Sequence, residues 1–251
     1  YKKGPEIGTG NGHLTIRSIK LNADGALGSR GAWLLEDYTD RPGHTGMATQ
    51  SMEYVYEVAT DGLVNGFQVN AHAIGDRANR EVLDQFQKAF EENSVKAYDH
   101  RWRIEHAQHI NPADIPRFGK LGVIASMQGI HLSSDRSWAI IRLGKKRIIE
   151  GAYVWRNLMD TGAIIINGTD VPVEPIDPIA SFYASVSRRT LKGKPKGGFE
   201  PSQKMTRLEA LKSYTINAAY GAFEEDIKGS IEVGKYADFT VLSQNIITIP
   251  E

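Results

Sequence analysis

Short apolar or β-branched runs alternate with segments of helical spacing for most of this chain. Residues 14–21 mix Leu, Ile and Thr with polar positions and predict a strand; residues 66–71, 102–104, 121–126 and 163–166 predict four more. Between the first two, residues 47–63 place Met52, Val55, Tyr56 and Val58 for one buried helical face. Residues 77–92 bring Leu83, Phe86 and Phe90 to one side at spacings of three and four. Asp76 stands where it would cap that second helix. Asn111-Pro112 predicts another helix start, with proline at the first helical position. Residues 148–159, 176–188 and 206–219 read as later helices, and residues 191–201, rich in Lys, Gly and Pro, as a surface loop. Residues 229–242 change character. Ile231, Val233, Tyr236, Phe239 and Val241, with Gly229 and Gly234, predict an antiparallel hairpin.

Five strands separated by helices predict an α/β fold with a parallel sheet. Five is too few to close an eight-stranded barrel. An open doubly wound sheet is the alternative, but Gly8-Thr9-Gly10-Asn11-Gly12 precedes the first strand and reads as a turn, not a phosphate loop. The 251 residues suffice for one large domain or two small ones, and 41% hydrophobic with 24% charged residues predicts an ordinary globular core. Thirty basic residues balance thirty acidic ones, so no global field favours nucleic acid or an anionic membrane. No uninterrupted apolar stretch reaches the roughly 18 residues of a membrane-spanning helix. Cysteine is absent, which removes disulfides, zinc–thiolate sites and a thiol nucleophile. The chain starts at Tyr1 with no leader pattern. A cytoplasmic location is favoured, with secretion left open.

Three polar clusters carry the candidate chemistry: Ala71-His72-Ala73-Ile74-Gly75-Asp76, Ile104-Glu105-His106-Ala107-Gln108-His109 and Asn167-Gly168-Thr169-Asp170. Each follows or ends an apolar or β-branched run, where a parallel barrel presents catalytic groups. Two imidazoles and a carboxylate from three strands make a seat for a hydrolytic divalent metal. The plainer readings are a helix-flanking surface histidine for His72 and a turn cap for Asp170. His109 lies beyond its strand end and reads as a loop residue. Lys20, between Ile19 and Leu21, points opposite to both, and one face of a barrel strand is the interior. A snorkelling surface lysine is the competing reading. His131 follows the 121–126 strand and could bind substrate or stabilise an oxyanion, or simply pack. Asp24 and Arg30 sit in the loop after the first strand; a loop salt bridge is preferred over a substrate contact for Arg30. Trp33, Trp138 and Trp155 suit a pocket wall and a buried core equally.

In this order and spacing the clusters resemble the amidohydrolase superfamily of metal-dependent barrel hydrolases, and within it the branch that includes N-substituted formamide deformylases. Four segments carry the resemblance: the run from Ile19-Lys20-Leu21-Asn22 through Ala23-Asp24-Gly25-Ala26-Leu27-Gly28-Ser29-Arg30, then Asn70-Ala71-His72-Ala73-Ile74-Gly75-Asp76, Arg103-Ile104-Glu105-His106, and Gly168-Thr169-Asp170-Val171-Pro172-Val173. A fifth, Gly229-Ser230-Ile231-Glu232-Val233-Gly234-Lys235-Tyr236-Ala237-Asp238-Phe239, is similar to the segment where such chains re-enter a small β-sandwich. The resemblance implies a partial (β/α)8 TIM barrel, about strands four to eight, over residues 1–225, and a hairpin returning to a sandwich over 226–251. It implies metal ligation by His72, His106 and Asp170, with Lys20 as a carboxylated bridging lysine, and one or two divalent ions, zinc first. It also implies catalysis by Asp170 with help from His131, on a small-molecule amide-type substrate. The His-X-His pair of the family's first strand has no counterpart here; His13 and His44 do not form it. The chain is therefore expected to be the C-terminal half of a longer enzyme, inactive alone. A homodimer is an admissible assembly. A non-catalytic binding or scaffold barrel, or hydrolysis of another bond type, are the alternative functions.

Overall fold

A computed structural model describes residues 2–94 and 99–250. Its centre is a five-stranded, all-parallel sheet in the order β3-β4-β5-β6-β7. The strands are β3 (Ser18–Asn22), β4 (Gln68–Ala73), β5 (Arg103–His106), β6 (Ile124–Met127) and β7 (Ile165–Asn167). Ahead of them β1 (Glu6–Thr9) and β2 (Leu14–Ile16) form a separate antiparallel pair. The strand expected over 14–21 is thus two strands. Arg17 is the joint: its carbonyl accepts from Gln68 N at 2.9 Å, and its guanidinium lies 3.7 Å from the Phe223 ring centroid.

The register explains why the two faces of the sheet differ. Residues paired across parallel strands share a face. One row reads Leu21, Ala71, Ile104, Ala125, Ile165, every member buried. The next row reads Asn22, His72, Glu105, Ser126, Ile166, and the one before it Lys20, Asn70, Arg103, Ile124. The apolar face takes the helices and the other is largely polar. Lys20 does point away from buried Leu21, as alternation requires.

Helices α1 (Met52–Val64) and α2 (Asp76–Glu92) cover β4. The α2 stripe of Val82, Leu83, Phe86 and Phe90 is buried, and Phe86 meets the Trp102 ring edge-on at 4.7 Å, a contact worth about 1 kcal/mol beyond its burial. Gly75 holds the N-cap position of α2 and Asp76 is the first helical residue. Asp76 does not cap across the turn. Its Oδ1 accepts from Leu35 N at 2.9 Å and from Arg77 N at 3.0 Å, joining α2 to the 32–35 loop. α3 (Ile115–Leu121) starts later than expected, because Asn111 makes an Asx turn in which its Oδ1 accepts from Ala113 N.

The helix expected over 148–159 is the end of α4 (Gly129–Gly151) and a separate α5 (Trp155–Asp160). α4 is interrupted at Gly144, whose φ of 75° is outside the helical range. Its N-terminus has no side-chain cap of its own and borrows distant ones. Gly129 N donates to Asn167 Oδ1 at 3.0 Å and Ile130 N to Ser181 Oγ at 3.1 Å. α6 spans Pro178–Ser187, and the helix expected over 206–219 divides at Thr215 into α7 (Arg207–Tyr214) and α8 (Ile216–Gly221). Thr206 and Glu209 form a capping box at the start of α7. The hairpin expected over 229–242 does not form among the described residues. Ile231, Val233, Phe239 and Val241 are exposed there, and an isolated two-stranded ribbon with nothing to pack on is at best marginal in water.

His100 provides a test of the packing below the sheet. Its ring stacks on Phe90 at 4.1 Å, its Nδ1 accepts from Trp102 N at 2.8 Å, and its Nε2 donates to Leu121 O at 2.9 Å. Those partners fit a neutral ring, and burial holds its pKa below the ordinary value. With the folded pKa lowered, the unfolded chain takes up the proton first on acidification. The contribution of His100 is therefore full above its unfolded pKa of about 6.5 and is lost as pH falls through the lowered folded value. His100→Phe keeps the stack and removes the titration. Its melting temperature is expected to fall less steeply than the parent's as pH drops below about 6.5; an unchanged slope would show that His100 does not titrate with unfolding.

Candidate active site

His72 is the penultimate residue of β4 and lies on the polar row, between Asn22 and Glu105. His106 ends β5 opposite Ala73, a position that strict alternation assigns to the helix-facing side. Its φ of 76°, rare for a non-glycine residue, breaks the alternation there. The His106 ring meets the His72 ring edge-on, centroids 4.5 Å apart. His131, in the first turn of α4, stacks on His106 at 6.0 Å with 18° between the planes. Three imidazoles from three successive strand–helix units thus make one continuous group.

Their nitrogens are differently placed. His106 Nδ1 lies 2.8 Å from Gln128 Oε1, and an amide oxygen only accepts, so Nδ1 carries the proton and Nε2 a lone pair. His72 Nε2 and His131 Nε2 are buried without a hydrogen-bond partner, a costly state that a bound ligand relieves. Burial, with His72 alongside, pushes the His106 pKa down. Burial first, then His106, brings His131 to about 4, against an upward pull from Asp170. Both rings are neutral at pH 7, the form that lends a lone pair to a metal.

Asp170 lies three residues beyond β7, exposed, with a φ of 59°. Its charge acts on Lys20, His106 and His131. Lys20 Nζ donates to Leu21 O at 3.1 Å and Asn22 Oδ1 at 3.0 Å. Burial lowers its pKa, while Glu105 and Asp170 raise it. Lys20, His72, His106, His131 and Asp170 therefore share one neighbourhood. Among the described residues no group of three His, Asp or Glu side chains closes on a metal position. Two imidazoles with unpaired nitrogen, a carboxylate and an amine of lowered pKa are nonetheless donor chemistry that suits a borderline divalent metal.

The other residues singled out divide clearly. Arg30 pairs with Asp40 at 2.8 Å as a loop salt bridge. Trp155 is buried in the core beneath the Arg188 guanidinium, and Trp33 and Trp138 pack against that core half-buried. His109 is buried, its Nε2 3.6 Å from Asp76 Oδ2. The sequence reading gave too little to Asp24 and nothing to Gln128 or Asn167. The Asp24 side chain is fully buried; Trp33 N and Gly75 N donate to its Oδ2, both at 2.8 Å, and Ile74 N to its Oδ1 at 3.0 Å. An acid between Ala23 and Gly25 directly after a strand was the available clue: small neighbours let backbone amides close on it.

A parallel α/β sheet with imidazoles and acids gathered where its strands end is built on the plan of barrel proteins that place their chemistry there. Residues 2–251 match the amidohydrolase family, and the chain belongs to that family. It is 36% identical to Protein LONG AFTER FAR-RED 3 of Arabidopsis thaliana, over 92% of this chain and 39% of that protein. It is 34% identical to the putative amidohydrolase YtcJ of Bacillus subtilis (strain 168), over 92% of this chain and 42% of that one. The chain thus spans about two fifths of these relatives. A crystal structure described as an uncharacterized metal-dependent hydrolase from Pyrococcus horikoshii OT3 superposes with a TM-score of 0.83 at 32% identity, covering 98% of this chain and 47% of that one. The five-stranded sheet is accordingly part of a barrel-like amidohydrolase domain.

Gly75 tests how tightly this mouth is built. A Cβ there would lie 2.0 Å from Trp33 O, and the φ of −75° is ordinary, so the conflict is purely steric. Gly75→Ala is expected to lose about 2 kcal/mol or more in urea unfolding. A parental midpoint would show that the 32–35 loop yields freely.

Proposed function

We propose that this chain carries part of the active site of a metal-dependent hydrolase that cleaves a C–N bond of an amide or formamide-like small molecule. The contact of His72, His106 and His131 beside Asp170 and Lys20 carries the reading, in a chain of the amidohydrolase family. Relatives support it: an N-substituted formamide deformylase of Arthrobacter pascens is 27% identical over 80% of this chain, and the Pyrococcus structure is described as a metal-dependent hydrolase. In organisation, residues 1–225 would form the barrel part and 226–251 the return to a β-sandwich.

His72, His106 and Asp170 would hold the ion, with Lys20 joining as a carbamate; its lowered pKa favours the neutral amine that carboxylation requires. Zinc suits imidazole and carboxylate donors. When bound, such an ion polarises a carbonyl and lowers the pKa of water. Asp170 takes a proton from the attacking water as its oxygen bonds to the carbonyl carbon. It returns that proton to the amine nitrogen as the C–N bond breaks. His131 is placed to interact with the developing oxyanion. The second reading is a non-catalytic binding barrel, favoured by the lack of a closed three-ligand group among the described residues.

The test uses the complete gene product, loaded with zinc or manganese and assayed against N-formyl amines and simple amides. Turnover is expected with the parent. Asp170→Asn should retain fold and much of its metal while kcat drops by roughly 10²–10⁴-fold, the usual worth of acid–base help. Near-parental turnover in a folded, metallated variant would remove Asp170 from the proton path. No turnover by the parent on any substrate with any metal would favour the binding barrel.

A further inference from the structure

We infer that Arg188 and Trp155 form a buried binding site for a small halide, chloride in ordinary solution, between α5 and the end of α6. The site is separate from the imidazole group and does not depend on the hydrolase reading.

Arg188 follows α6 directly, and its side chain is fully buried. Burial brings its pKa down to about 9, which still leaves it charged at neutral pH. A charge held out of water needs a counter-charge close by. Among the described residues Arg188 is in no ion pair; Glu200 attracts it from farther off, and Arg136 repels it. The Arg136 guanidinium lies 5.2 Å from the Phe199 ring centroid, and that of Arg188 lies 5.7 Å from the same centroid. The surroundings are therefore rich in positive charge. Hydrogen bonding is incomplete as well. Arg188 Nε donates to Phe199 O at 2.6 Å and Nη1 to Tyr153 O at 2.8 Å. Nη2 is buried and has no partner, and the same holds for the indole Nε1 of Trp155, itself fully buried. The guanidinium carbon lies 4.6 Å from the Trp155 ring centroid, so both unmatched groups belong to one stacked pair. Both groups donate and neither accepts. Two unmatched donors beside an unmatched positive charge call for an acceptor that is itself negative. A water would take the hydrogen bonds and leave the charge. A carboxylate would bring about four lone-pair positions to a place with two free donor groups. Arg188, Trp155 and Tyr153 are all shut from solvent, so the surplus positions would go unsatisfied. A halide supplies one charge and accepts from any direction. The backbone around the guanidinium is also held in a sparsely populated conformation: Tyr153, Arg188 and Glu200 have φ of 55°, 53° and 43°. Non-glycine residues keep such angles where the surroundings over-determine them, ligand clamps among them. Through Tyr153 the site reaches the segment after β5, because Gln108 Nε2 donates to the Tyr153 hydroxyl at 3.0 Å.

The test uses the complete gene product. Its melting temperature is measured at constant ionic strength while chloride replaces gluconate, a bulky organic anion. By ligand linkage the parent is expected to gain about 1–3 °C once chloride is well above its dissociation constant. Arg188→Met removes the charge and the donors but keeps an apolar chain, and should melt alike in both salts. Trp155→Phe removes one donor, keeps a ring, and should lose part of the gain. A parent that gains no more from chloride than Arg188→Met does would overturn the inference. Crystals grown in bromide give the direct reading. An anomalous peak within hydrogen-bond distance of Arg188 Nη2 and Trp155 Nε1 is expected; no peak there, or a water in its place, overturns the inference whatever the melts show. Should both variants fail to fold, the bromide map of the parent decides. Neither readout uses turnover, so an inactive protein with bromide at Arg188 would sink the proposed function and leave this inference standing.

Discussion

The buried Asp24 carboxylate ties together two loops, a join that Trp33 O reinforces by accepting from Arg77 N at 3.1 Å and Ala78 N at 3.2 Å. The 23–35 segment leaves β3 and wanders far before α1, while residues 74–75 are the short turn from β4 into α2. A charged group without water is tolerated only if it is fully hydrogen-bonded. Here the partners are backbone amides of Trp33, Ile74 and Gly75. Removing any of them would expose the carboxylate to an uncompensated interior, so folding of the sheet, closure of the loop and arrangement of the strand end are linked. Asp76 repeats the device one turn on, with Leu35 N and Arg77 N. The 32–35 loop is stitched to the start of α2 by two acids in succession.

The sheet was legible because its period-two pattern is strong and its helix-facing row is uniformly apolar. Leu21, Ala71, Ile104, Ala125 and Ile165 belong to the expected strands or, as with Ile165, sit inside one. Helix boundaries were less legible, and α4 shows why. Its first amides are capped by Asn167 and Ser181, residues about 40–50 positions away, so no local cap marks the start. Tertiary partners replaced the local punctuation that sequence reading depends on.

Spacing and likeness to a family single out Lys20, His72, His106, His131 and Asp170, and the structure brings them into one neighbourhood, their roles there being the proposal made above. What could not be read was orientation. His106 reaches His72 only because its backbone takes a left-handed turn against the alternation, and Asp170 takes one too. His and Asp are among the non-glycine residues that tolerate a positive φ, but no side-chain pattern says which of them will adopt it. The supporting residues Asp24 and Gln128 were missed in these roles for a related reason: their importance lies in which atom faces which, and pattern carries no atoms.

The break at Gly144 in α4 frees the Arg142 carbonyl, which accepts from Thr39 N at 2.9 Å. Arg147 beyond the break grips the Asp37 carbonyl at 2.7 Å. With Asp24 and Asp76 holding Trp33 and Leu35, the segment 33–39 is pinned along its length. Residues 171–177, beyond β7, are tied more lightly: Val173 N donates to Asp170 O at 2.8 Å and Ser134 Oγ to Glu174 Oε1, while Val171, Val173 and Ile176 stand exposed. The two segments therefore differ in how firmly they are held. Exposed positions such as Val171, Val173 and Ile176 can be exchanged at little cost in packing, whereas changes at Asp24, Asp76 or Arg147 undo bonds that hold the 33–39 segment.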